Sequence, residues 1–80
     1  METETRIKIG EILISEFERL SNDLKPHDED IPEIIKRAWI AKLKMLMYYE
    51  QTEKPPELRA LIKKLDRIIK KVEELHNNRC

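Results

Sequence analysis

A chain of 80 residues supports one domain, and a domain of that size removes only about 60% of the surface its unfolded form exposes, so it stands near the lower limit of independent stability. Its 16 basic and 16 acidic side chains cancel, which removes the basic excess typical of dedicated nucleic-acid binders. A single cysteine, Cys80, rules out an intrachain disulfide framework. No stretch approaches the ~20 apolar residues of a membrane span, and the opening METETRIK lacks the apolar centre of a signal peptide. A cytoplasmic protein without membrane contact is therefore expected. One glycine and abundant Lys, Glu and Ile suit a heat-tolerant protein.

Residues 3–9 alternate, with Thr3, Thr5, Ile7 and Ile9 on one side of an extended chain and Glu4, Arg6 and Lys8 on the other. That is the pattern of a half-buried strand. The competing reading is a helix, since Glu2 and Arg6, and Glu4 and Lys8, are favourable i,i+4 pairs. Gly10 favours the strand, because glycine weakens a continuous helix by about 1 kcal/mol relative to alanine and suits a strand-to-helix junction.

Over 11–25, Leu13, Phe17, Leu20 and Leu24 recur in steps of four, three and four, predicting an amphipathic first helix with that stripe buried. Lys25-Pro26 ends it. Asp30, Pro32 and Glu33 then form a helix start, with Asp30 as cap and Glu33 placed for a capping box. The second helix is expected over 31–51, and its segment Ala38–Tyr49 holds only two charges, Lys42 and Lys44. A helix apolar nearly all round must be covered nearly all round. Two other helices of so short a chain cannot do this, so a homodimer with the second helix at its centre is expected.

Thr52 to Pro56 connects to a third helix over 56–76, in which Leu58, Leu61, Leu65, Ile68, Val72 and Leu75 trace a heptad seam broadened by Ile62 and Ile69. Lys63, Lys64, Arg67, Lys70 and Lys71 populate its outer face, with Asp66 and Glu73 as interspersed acids. Such a face is usually solvated, with an acidic partner, a second protein or nucleic acid as the functional alternatives. The tail from His76 to Cys80 is expected to fray.

No enzyme, metal or cofactor is expected. One glycine cannot build a phosphate loop, and Ser15 and Ser21 have no evident base. Asp28, Glu29, Asp30 and Glu33 read as a solvated loop and cap. His76 and Cys80, four apart, supply too few ligands for a metal site. Trp39, Tyr48, Tyr49, Met45 and Met47 read as core or dimer contact ahead of a ligand groove.

The order of a short alternating strand, a helix, a loop and a second helix resembles the ribbon-helix-helix family of dimeric DNA-binding regulators. The likeness covers residues 3 to about 45. It rests on Arg6-Ile7-Lys8-Ile9 as ribbon, on Leu13, Phe17, Leu20 and Leu24 as first-helix stripe, and on Glu33 to Trp39 as second helix. The third helix would be an extension of the kind some small regulators of archaeal mobile elements resemble. The likeness implies a homodimer whose paired ribbon enters the major groove of double-stranded DNA, with Arg6 and Lys8 reading bases beside Glu4. It implies a dimer interface of Ile7, Ile9, Ile35, Ala38, Trp39, Leu43 and Leu46. The acids around the second helix start depart from the family, which seats a DNA phosphate there. The alternative is an all-α three-helix bundle with residues 3–24 as one continuous helix, acting as a non-enzymatic interaction protein.

Overall fold

The computed structural model describes residues 3–77, and these form three helices: α1 (Thr3–Asp23), α2 (Ile31–Gln51) and α3 (Pro56–Asn77). Residues 3–9 are the first two turns of α1, so the strand expected there is absent and the all-α alternative holds. The reason is backbone satisfaction. A lone strand leaves a row of amide and carbonyl groups that only a second strand can pair, whereas a helix pairs them within itself.

The end of α2 holds these turns in place. Tyr48 donates its hydroxyl to Thr3 Oγ1 at 3.3 Å, and the Arg6 guanidinium lies 4.4 Å above the Tyr48 ring. Gly10 is not a junction but a buried position within the helix. A Cβ there would stand 3.3 Å from both Leu61 Cδ1 and Met45 Cε, so this position lies against side chains of both other helices.

The buried line of α1 is Gly10, Ile14, Phe17 and Ser21. It lies one residue away from the expected stripe, of which only Phe17 is fully buried; Leu13 and Leu20 are 38% and 45% exposed. Ser21 belongs to the buried line because its hydroxyl donates to the Glu18 carbonyl oxygen at 2.8 Å and needs no water. α1 ends at Asp23, two residues earlier than expected. Pro26 disfavours helical backbone at Lys25, and the turn closes with the Asp28 amide donating to the Lys25 carbonyl at 3.0 Å.

α2 and α3 lie where the sequence puts them, but the start of α2 is built differently. Asp30 already has helical backbone (φ −80°, ψ −10°) and makes no side-chain cap bond. Pro32 removes a donor such a cap would use, and Glu33 accepts from Arg37 Nε at 3.2 Å instead of reaching back. At the far end, Thr52 closes α2 through its amide to the Tyr49 carbonyl at 3.3 Å. Lys54, in the left-handed region at φ 56°, turns the chain into α3.

The cross-helix contacts fix directions. Tyr48 meets Thr3, so α1 and α2 are antiparallel. Lys64 meets Glu18 and Lys71 meets Asn22, so α3 runs parallel to α1. α3 is the common partner: it packs against both other helices, whose backbones barely approach each other. It supplies Leu58, Ile62, Leu65, Ile68, Ile69 and Val72 to the core, whereas α2 contributes only Ile31 and Ala38 as fully buried side chains.

Gly10→Ala is expected to stabilise the fold by up to about 1 kcal/mol in urea unfolding, because helix propensity improves and the new methyl meets only the ends of flexible side chains. Destabilisation would show that glycine is required at this position.

Candidate interaction surface

Because α1 and α2 dock separately on α3, the side of the molecule opposite α3 is an open groove. Its two adjoining depressions measure about 340 and 410 Å³ and share Leu13, Ala41 and Lys44. One continues over Arg6, Ile9, Gly10, Met45, Tyr48 and Leu58. The other continues over Glu16, Phe17, Leu20, Ile34, Arg37 and Ile40. The wall is apolar and the rim is charged, with Glu16 on α1 and Arg37 and Lys44 on α2.

Among the described residues, the large hydrophobic side chains that remain exposed all belong to α1 and α2, and none to α3. Ile9, Leu13, Leu20 and Ile40 line the groove, while Ile12, Leu43 and Met47 stand exposed on the same two helices. A contiguous apolar patch beyond a few hundred Å² is unusual on a protein that functions alone.

The residues expected to read DNA do not form a ribbon. Glu4 and Lys8 are exposed on the first turns of α1, and Arg6 is engaged with Tyr48 at the groove mouth. The residues expected at a dimer interface separate into several places. Ala38 is in the core and Ile35 packs against it. Trp39 sits at the α2/α3 seam with its indole Nε1 3.4 Å from Glu73 Oε2 and Lys42 Nζ 4.7 Å from its ring. Ile7 and Leu46 are half-buried, and Ile9 and Leu43 are exposed. Leu13 and Leu20 went unrecognised as surface residues because both fit a helical stripe and so read as core.

Other chemistry is sparse. Among the described residues no three His, Cys, Asp or Glu side chains gather as metal ligands, and no helix is long and apolar enough to cross a membrane. His76 is half-buried, and its Nδ1 has no hydrogen-bond partner among the described residues. Of the tail expected to fray, His76 and Asn77 instead complete α3, while its last three residues, and with them the pairing of His76 with Cys80, lie outside the described residues. The acids Asp66 and Glu73 turn towards α2. Lys42 donates to Asp66 Oδ1 at 2.7 Å, and Lys70 reaches Oδ2 at 3.4 Å. The Lys42 hydrogen bond holds the Asp66 carboxyl below the usual carboxylate range, helped by the charges of Lys42 and Lys70 and opposed by partial burial. No protein-family model, curated protein or solved structure matches this sequence.

A carboxyl with a lowered folded-state pKa adds stability that is present above its unfolded value and disappears as pH falls through its folded value. Asp66→Asn is therefore expected to cost about 0.5–1 kcal/mol near neutrality. The gap between variant and parent should close as pH falls below about 4. A gap that stays constant down to pH 2 would exclude this role for Asp66.

Proposed function

We propose that this is a non-enzymatic helical interaction protein that acts as a homodimer, each copy covering the α1/α2 groove of the other. The observation that carries the reading is the open apolar groove between α1 and α2, lined by exposed Ile9, Leu13, Leu20 and Ile40. The accessible surface is 5909 Å², whereas the scaling for a folded monomer of 9.6 kDa gives about 5100 Å². The difference, about 800 Å², is surface that a compact shape of the same mass would not expose. The radius of gyration of 13.4 Å likewise exceeds the ~11.6 Å of a compact domain of this length. The molecule is a rod of 43 × 18 × 17 Å with one long face unfinished.

A second copy suits that face chemically. A two-fold arrangement sets apolar side chains of α1 and α2 against the same set, and it brings the acidic Glu16 rim of one copy within reach of the Arg37 and Lys44 rim of the other. Antiparallel α1 and α2 offer the shallow channel into which a neighbouring helix lays its apolar stripe. The ribbon-helix-helix reading loses the strand it depends on, because residues 3–9 are helical. The dimer proposed here keeps Ile9 from the expected interface and uses Leu13, Leu20 and Ile40 in place of Ala38 and Ile35.

Sedimentation equilibrium tests the proposal. The parent chain is expected to show twice its monomer mass and a melting temperature that rises with protein concentration. Ile9→Glu combined with Ile40→Glu should give a monomer with unchanged helical circular dichroism, since both side chains are already about half exposed. A parent chain that stays monomeric at all concentrations, or a double variant that still dimerises, would contradict it.

A further inference from the structure

Net neutrality conceals a sharp separation of charge. From Arg59 to Lys71, every exposed residue of α3 except Ala60 is a cation: Arg59, Lys63, Lys64, Arg67, Lys70 and Lys71. The acid within that stretch, Asp66, and the next along the helix, Glu73, are turned to Lys42 and Trp39 of α2. At 1.5 Å per residue the stripe extends about 18 Å along a straight helix. Its flanks are anchored, Lys64 by Glu18 at 3.2 Å, Lys70 by Asp66 at 3.4 Å and Lys71 by Asn22 at 2.6 Å. Lys63 and Arg67, one turn apart, form no ion pair among the described residues.

We infer that this outer face of α3 binds the phosphate backbone of double-stranded nucleic acid without regard to sequence. A duplex presents one negative charge per ~1.7 Å of axis, so a rigid row of cations finds phosphates along its whole length and gains affinity by releasing counterions. The face lacks what other polyanions require. It has no aromatic ring for unpaired bases to stack upon. It has no large apolar side chain to enter a lipid surface or to anchor an acidic amphipathic peptide. Readout of base identity needs side chains held in fixed geometry at base edges. Lys63 and Arg67, which form no ion pair among the described residues, have no such fixed geometry and meet phosphates through their charge. The surface lies opposite the α1/α2 groove, so it remains free whether or not that groove is covered, and this inference is independent of the dimer.

The test is a mobility-shift titration of the full chain with two ~30-bp duplexes of unrelated sequence. Equal affinity for both is expected, with log affinity falling against log salt at a slope of about −3, as roughly three or four phosphate contacts require. Lys63→Gln with Arg67→Gln should weaken binding roughly tenfold or more and make the slope shallower by about 2. Lys8→Gln with Arg19→Gln removes the same charge from exposed positions on α1 and should leave binding within about twofold. All four side chains are exposed, and circular dichroism of both double variants should match the parent. The inference is overturned if neither duplex shifts at low salt, or if the α1 pair matters as much as the α3 pair. Polyglutamate or anionic vesicles competing as well as duplex would also overturn it, pointing to an acidic protein or a lipid surface.

Discussion

The structure depends on α3 burying apolar side chains on two flanks at once. Leu58, Ile62, Leu65, Ile68, Ile69 and Val72 make it the major contributor to the core. A strip wide enough to seat two helices side by side holds both on one support, while direct contact between them is light, with Tyr48 on Thr3 and Arg6 among the few links. Of the largest fully buried side chains, Leu65, Ile69 and Val72 come from α3, with Ile14 and Ile31 as single contributions from α1 and α2. Truncation of such a residue costs about 2–5 kcal/mol, a large part of the stability of a chain this small.

That arrangement creates both of the surfaces described above. Opposite α3 the seam between α1 and α2 stays open and lined with Ile9, Leu13, Leu20 and Ile40. On the outer side of α3, the exposed residues from Arg59 to Lys71 are, apart from Ala60, all cations. Cross-helix pairs such as Lys42 with Asp66 and Lys64 with Glu18 add little energy individually. Their larger effect is on charge distribution, because Lys42 draws Asp66 towards α2, as Trp39 does Glu73.

Much of the fold was legible in the sequence. Pro32, Pro55 and Pro56 mark the starts of α2 and α3, and the heptad spacing of α3 maps directly onto its buried face. Residues 3–9 were misread because Thr, Ile and charged residues alternate there as they do in a strand. The i,i+4 spacing of Glu4 and Lys8 held the correct signal, outweighed by Gly10, which lies buried within α1 against Leu61 and Met45, a placement that no linear pattern announces. Ser21 hid the true register of α1, since a hydroxyl satisfied by its own helix is invisible to a hydrophobic count. The apolar excess of α2 was evident, but which helix shares the groove with it was not: Leu13 and Leu20 are core or surface according to where α2 lies.

Native-state hydrogen exchange resolved by residue tests the dependence on α3 most directly. Amides beneath Leu65, Ile69 and Val72 should exchange only through global unfolding, while α1 and α2 open at lower and mutually different free energies. An α3 that exchanges first, or α1 and α2 opening together as one unit ahead of it, would contradict the account.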